Sequence, residues 1–399
     1  MRVNTRKFLL SLGLVGGLLS AGCSSDEASS GVSRAAVVVN YSANLYAAYS
    51  DSVDDALAFQ KDVDAFLANP TEDTLSTARV SWLASRAHYM LTEGARFYDG
   101  PIDVDPPNHE ALLNSWPLDE AFIDYVVSKK DGTVQDEASM INRPDLLPQI
   151  TVENLDSLNG ADGEPEHVSV GYHSVEFLLW GQALEDVGPG ERPATDYVIG
   201  GPSKNPERRA DYLRVAVDGI ISHLQDVRDA WQPSATYRVE FEKESNLSDS
   251  LTRIFTGLAN FSKGELGSQR IGAAYESKNR HDQHDCFSSE TLVDYERDAR
   301  GIQAMYLGDY DDKNGPGLDE LVRAADPELD ADLKKKLQAS IDAIVAIPKP
   351  FEEAIAGDDD SPGRKAIQAA LTALYEQGDA FGAAAAAIGV TITVDDPSP

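Results

Sequence analysis

Apolar residues recur at steps of three and four along most of the chain. In residues 42–70, SANLYAAYSDSVDDALAFQKDVDAFLANP, they fall at Leu45, Tyr49, Val53, Leu57, Val63 and Leu67, with Ala56 and Phe66 beside them. This spacing draws one apolar stripe along a long amphipathic helix. Asn69-Pro70 ends it, because the residue before a proline is pushed out of the helical region. Thr71-Glu72-Asp73 then offers an N-cap residue and first-turn acids, and predicts a second helix running on to Gly100-Pro101. Residues 101–170 lose the rhythm. Prolines punctuate them, and only 118–128, LDEAFIDYVVS, reads as a short helix. Helical spacing returns at 171–182 and 205–233. It continues at 247–263 and 266–280, with a break at Ser262-Lys263-Gly264, then at 289–306, 317–324, 327–347 and 362–388. Strands are hard to find anywhere, beyond a stub in GVTITVDDPSP at the end.

The pattern predicts an all-α fold of two packed helical bundles joined by loops. The Pro- and Gly-rich stretch around 190–205 marks the expected boundary, giving one bundle over 34–200 and a second over 201–390, with a tail at 391–399.

The first residues follow a different logic. MRVNTRKFLLSLGLVGGLLSAGC carries Arg2, Arg6 and Lys7, then an apolar stretch from Phe8 to Leu19, then small residues before Cys23. That is the order of an export signal, too short and wrongly flanked for a spanning helix. A cysteine directly after the small residues resembles a bacterial lipoprotein signal, although Ser20 stands where such signals usually have Leu. The resemblance implies a signal peptide over 1–22, cleavage before Cys23 and lipid on its sulfur. Residues 23–33 are expected to be a flexible tether, and Ser24 points to outer-membrane sorting, facing the periplasm or the cell surface. An ordinary secretory signal is the alternative. Only one other cysteine exists, Cys286. With Cys23 lipidated no disulfide framework is left, and stability has to come from packing.

Charge narrows the partners. Lys and Arg number 34 against 67 Asp and Glu, a formal net charge of −33. Such a surface repels phosphate backbones, which excludes nucleic acid. It attracts cations, though its first meaning is solubility.

The candidate chemistry centres on GYHSVEFLLWGQ, residues 171–182. His173 and Glu176 stand at i and i+3, on one face of a helix and one turn apart. Imidazole nitrogen plus carboxylate oxygen suits iron, zinc or copper, but more ligands must come from other helices. The structural reading, a satisfied polar pair in a core helix, is the commoner use of a bare HxxE. Here the apolar neighbours Val175, Phe177, Leu178 and Leu179 leave the pair needing partners. The second helix offers them: Trp82, Arg86, Tyr89, Glu93 and Arg96 or Phe97 follow one another at steps of three and four. Either this is a solvated face, or it is a buried network in which Glu93 adds a ligand and Arg86 or Arg96 holds carboxylates. A third cluster, ESKNRHDQHDCFSSET at 276–291, sets His281 and His284 three apart beside Asp282 and Asp285, as a metal-capable loop or as exposed residues before a helix. Cys286 reads as a buried small residue. HEALL at 109–113 begins like a zinc-protease HExxH motif but lacks the second histidine, and 310–321 fails the EF-hand register. There is no P-loop, GxGxxG, GxSxG or CxxCH.

GYHSVEFLLWGQ resembles the GxHxxE signature of the imelysin family. WLASRAHYMLTEGARF, SWPLDEAFIDYV (115–126), ELGSQRIGAAYES with HDQHDCFSSET, and IPKPFEEAI (347–355) resemble further family blocks in the family's order. Together they span nearly the whole mature chain. The resemblance implies an exported, membrane-anchored bacterial protein of two helical bundles. The family is named for an insulin-cleaving peptidase activity. Many members are linked instead to iron supply, and a related domain occurs in periplasmic iron-uptake lipoproteins. By position Gly171, His173 and Glu176 form the signature, and Trp82, Arg86 and Glu93 sit in the second-helix block. The expected metal ligands are therefore His173, Glu176 and Glu93, supported by Trp82, Arg86, Arg96, Gly171 and Asp285. In the late block Gln283 and Asp285 stand near positions where the family pattern has acids and small residues. That departure argues against a ligand role for His281 or His284.

Three functions compete. The first is a lipoprotein, held to the membrane through Cys23, that binds iron or another metal and serves uptake together with iron-uptake proteins. The second is a metallopeptidase with Glu176 or Glu93 as general base. Against it, peptidase zinc sites usually supply two histidines plus a carboxylate. The third is an interaction module in which HxxE only satisfies the core.

Overall fold

Ser33 and Thr71 start the first two helices as N-caps. The Ser33 hydroxyl accepts from the Ala36 N–H, and Thr71 forms a reciprocal capping box with Thr74. Each thereby satisfies backbone donors that a helix start leaves open. The computed structural model describes residues 31–394. The expected signal peptide, Cys23, most of the tether and residues 395–399 lie outside the described residues.

The fold is all-α. Helix α1 spans Arg34–Ala68, α2 Glu72–Ser85, α3 His109–Leu113, α4 Glu120–Ile123, α5 Val152–Leu158, α6 Gly171–Trp180, α7 Pro206–Ala230 and α8 Thr236–Phe241. After them come α9 Leu247–Asn260, α10 Ala273–Ser277, α11 Thr291–Leu307, α12 Leu318–Ala325, α13 Pro327–Val345, α14 Phe351–Ala356 and α15 Pro362–Ala387. Strands amount to two antiparallel pairs of two residues each among the described residues, Val126–Val127 with Val134–Gln135 and Asp309–Tyr310 with Lys313–Asn314. No helix among the described residues is long and apolar enough to cross a membrane.

Packing follows the apolar stripes. In α1, Leu45, Tyr49, Val53, Ala56, Val63 and Phe66 are buried, while Leu57 and Leu67 lie at the margin. That stripe seats α1 against α2, α7 and α9; α7 also packs on α3, α5 and α6. On the other side α15 packs on α13, α9 and the helical segment after it, and α13 packs on α11.

Three expectations change on folding. The second helix ends as an α-helix at Ser85, and residues 86–99 continue as turns with a short 3-10 helix at Met90–Thr92. This stretch carries Arg86 and Glu93 into a buried ion network and presses its backbone on α11, where a Cβ at Gly301 would lie 2.5 Å from the Leu91 carbonyl oxygen. The expected break at Ser262-Lys263-Gly264 is instead a π-helix, Phe261–Gly272, continuous with α9 and α10. Its wider turn brings Arg270 inward, fully buried. The short helix expected at 118–128 covers only Glu120–Ile123 before the first strand pair begins.

Candidate metal centre

Helix α6 is buried on every side, all ten residues of it. A helix so placed has no solvated face on which to lay polar groups. Its start is fixed by Gly171, at φ +85°, where a Cβ would meet the Leu113 carbonyl oxygen at 2.6 Å. Only glycine lets the α6 backbone come this close to the end of α3. Trp82 Nε1 donates to the Tyr172 carbonyl at 3.1 Å, and Tyr212 Oη donates to the Ser169 carbonyl at 2.6 Å, so the chain entering α6 is held from α2 and α7.

His173 projects from this helix toward the loop between Arg280 and α11. Its Nε2 lies 3.3 Å from Nε2 of His284, and its Nδ1 lies 3.1 Å from Glu176 Oε2. Glu176 Oε1 accepts the Ser288 N–H at 2.7 Å, tying the helix to the same loop. Asp285 Oδ1 completes the group, 3.7 Å from His173 Nδ1 and 3.8 Å from His284 Nδ1. His173, His284 and Asp285 are each 1% exposed, and one potential ligand atom from each lies within 4.8 Å of the others.

The loop is pinned by its own bonds. Trp116 Nε1 donates to the Gln283 carbonyl at 2.9 Å, and the Asp285 N–H donates to Thr291 Oγ1 at 3.0 Å. Arg86 braces it from below. Its guanidinium donates to Asp294 at 2.7 Å and Asn114 at 3.1 Å, sits 3.7 Å from Asp285 Oδ1, and lies over the faces of Trp82 and Tyr172, 5.1 and 5.0 Å from the ring centres.

Glu93 is drawn elsewhere. It is bonded by Arg270 and lies 3.4 Å from Arg96 Nη1 and 3.5 Å from Asn114 Nδ2. Arg270 also holds Asp298 at 3.0 Å, and Arg96 holds Glu110 at 3.0 Å. The stripe Trp82, Arg86, Tyr89 and Glu93 is thus a fully buried network, with Phe97 left at the surface. Asn114 joins its two parts by bonding both Arg86 and Glu93. His281 is separate, partly exposed and 3.7 Å from Glu120. Cys286 is buried, and burial pushes its thiol well above the usual range.

Burial sets the protonation of the group. It pulls His173 and His284 well below the ordinary imidazole range, helped by Arg86 and Arg270. It pushes Glu176 up to about 8, against the hydrogen bond from Ser288, and Asp285 well above the carboxylate range, helped by Asp294. Burial acts on Glu93 in the same sense, but Arg270 and Arg96 outweigh it and hold that carboxyl below its usual range.

The residues fit a metal ion. Two imidazole nitrogens on one tetrahedral ion at about 2.0–2.1 Å stand about 3.3 Å apart, which is the His173–His284 spacing. Asp285 Oδ1 beside them is a buried polar atom without a hydrogen bond, and such an atom is costly unless something completes it. With Glu176 accepting from His173 Nδ1, the Nε2 lone pair is turned toward His284, as an outer carboxylate orients a ligating histidine. A cleft of about 660 Å³, lined in part by Arg96, Glu110, Asn114, Trp116 and Glu265, reaches His284 from outside.

The imelysin profile, peptidase M75, matches residues 45–381. The chain belongs to the imelysin family. Among solved structures this imelysin-family chain is similar to a protein described as an iron-regulated protein A precursor from Parabacteroides distasonis, with 19% identity and a TM-score of 0.68, over 89% of this chain and 95% of that one. It is also similar to an imelysin-like protein from Psychrobacter arcticum, with 14% identity and a TM-score of 0.59, over 90% and 98%. At these identities the likeness is one of fold. No curated protein is matched.

Of the residues expected to bind metal, the fold brings His173 and Glu176 together and adds His284 and Asp285, while Glu93 joins the arginine network. His284, set aside on the resemblance, faces His173 directly. Its adjacency to Asp285 in HDQHDC was the available signal. Nothing in the sequence marked Arg270, Asp294 or Asn114 as part of the same core.

Proposed function

We propose that this protein is an exported lipoprotein, anchored through lipid on Cys23, that binds iron or another divalent metal and serves metal uptake. The observation that carries the reading is the facing pair His173–His284, with Asp285 Oδ1, which makes no hydrogen bond, beside it. His173, His284 and Asp285 would hold the ion, Glu176 would orient His173, and the Arg86 and Arg270 networks would keep the surrounding carboxylates in place. The ion itself is the cargo, and the site needs affinity rather than turnover. The iron-regulated character named for the Parabacteroides relative supports the assignment to iron. The two-bundle division at about residue 200 belongs to the same proposal, although α7, which that boundary assigns to the second bundle, packs on α1, α3, α5 and α6 of the first.

Incubation of the purified protein with iron, zinc or copper, followed by elemental analysis, tests the reading. A bound equivalent that His173→Ala abolishes supports it, and an unchanged metal content contradicts it.

The second reading, a metallopeptidase, rests on Glu110. It lines the cleft reaching His284, and burial pushes it up to about 7, a value suited to a general base. Cleavage of an unstructured peptide that is lost in both His173→Ala and Glu110→Gln would favour it over uptake.

A further inference from the structure

A second pair of histidines lies away from this centre. His109 opens α3 as the first residue of HEALL, and His223 lies on α7. Their Nδ1 atoms face each other at 3.3 Å. This is again about the separation of two nitrogens on one tetrahedral ion. His223 Nε2 lies 3.2 Å from Asp156 Oδ1, on α5. A carboxylate there holds the proton on Nε2 and leaves the Nδ1 lone pair free to ligate, the outer-sphere arrangement of many histidine metal sites. Asp226 follows His223 by three residues, so α7 presents both on one face. A carboxylate oxygen of Asp226 and a ring nitrogen of each histidine lie within 4.8 Å of one another. The rings are held, at 8% and 6% exposed, while Asp226 is open to solvent. An ion can therefore enter from the surface without opening the core.

We propose that His109, His223 and Asp226 form a second metal site, for a divalent ion of the zinc class, with water in the fourth position. Two imidazoles and one carboxylate are the donor set such ions prefer. HEALL lacks the second histidine of a helical HExxH motif, and in the folded protein α7 supplies that histidine from across the α3–α7 contact. The ion would cross-brace α3 to α7. His109 and its neighbour Glu110 turn different ways: His109 meets α7, whereas Glu110 bonds Tyr89 and Arg96 beside the first centre.

The test is zinc binding to the purified protein, with zinc alone as probe, read by equilibrium dialysis and elemental analysis. The wild type is expected to hold one zinc that His173→Ala does not remove. His223→Gln should weaken that zinc on the order of a hundredfold or more, and Asp156→Asn by about 10–100-fold through loss of the orienting bond. Asp226→Asn changes an exposed residue and leaves the fold intact, so it decides the matter should His223→Gln fail to fold; about tenfold weaker zinc is expected. Zinc affinity unchanged in Asp226→Asn, or zinc that disappears entirely with His173→Ala, overturns the assignment and leaves the pair as two rings sharing a proton.

Discussion

Gly171→Ala tests how the fold positions the candidate centre. The glycine sits at φ +85°, and an added Cβ would stand 2.6 Å from the Leu113 carbonyl oxygen and 2.8 Å from its carbon. Ordinary contact begins near 3.4 Å, so α6 and the end of α3 must separate by most of an ångström. The left-handed backbone costs an alanine about 1–2 kcal/mol, and overpacking a tight contact adds about 1–3 kcal/mol. The expected loss is therefore about 2–5 kcal/mol. His173 lies two residues on, so the same shift should spoil its 3.3 Å approach to His284. Gly160→Ala is the matched control: its φ is +70°, and a Cβ there meets nothing within 4 Å. It should cost only the backbone part and leave metal binding unchanged. Urea denaturation followed by circular dichroism measures the stability difference, and metal titration of both variants measures the centre. Equal stabilities in the two variants, or wild-type metal affinity in Gly171→Ala, would refute the argument that this contact seats α6.

Further expectations follow from the charges. Metal affinity at the His173–His284 centre should rise with pH between 6.5 and 8.5, because Glu176, pushed up to about 8, and Asp285 must give up protons, at most about tenfold per unit for each proton displaced; a flat profile in isothermal titration would count against it. The metal-free protein should lose stability between about pH 7 and 8 and level off above that. The raised folded-state values of Glu176 and of Glu110, at about 8 and about 7, stabilise the fold below the ordinary carboxylate value and cease to do so as pH rises through 7–8. The two core histidines, neutral in the fold, act in the opposite sense below about pH 7, where the unfolded chain still protonates them, and add little above it; bound metal should reduce the drop seen in thermal melts. Arg86→Met strands Asp294 and Asp285 without their buried cation and should cost about 3–5 kcal/mol in denaturant unfolding, whereas Arg143→Met, at an exposed pair with Asp145, should leave the unfolding midpoint close to wild type.

Much of the fold was legible because helices announce themselves locally. The α1 stripe, the stop at Asn69-Pro70 and the Thr71 cap all depend on residues a few positions apart, and the folded chain keeps them. The breaks in regularity were less legible. Residues 86–99 and the π-helix at 261–272 leave the α-helical path where Arg86, Glu93 and Arg270 enter a shared buried network, and the partners of those charges are up to about 200 residues away. The candidate centre shows the same division. His173 and Glu176 stood out because one helical turn joins them. His284 did not, because its closeness to His173 exists only once the loop before α11 folds over α6. Glu93 had the right position for a ligand, yet Arg270 claims it, and nothing near Arg270 in the sequence points to residue 93. The pair His109–His223 was hidden for the same reason: HEALL looked like a motif with its second histidine missing, and that histidine comes from α7.

The most direct test of the central claim is metal stoichiometry in the wild type, His173→Ala, His284→Ala and the double variant, measured by elemental analysis after incubation with iron, zinc and copper, with circular dichroism as the check on folding. The account predicts that each single variant loses the same one equivalent, that the double variant loses no more, and that helical content is kept. Full metal content in folded His173→Ala and His284→Ala would contradict it and leave the facing histidines as a contact that serves the core alone.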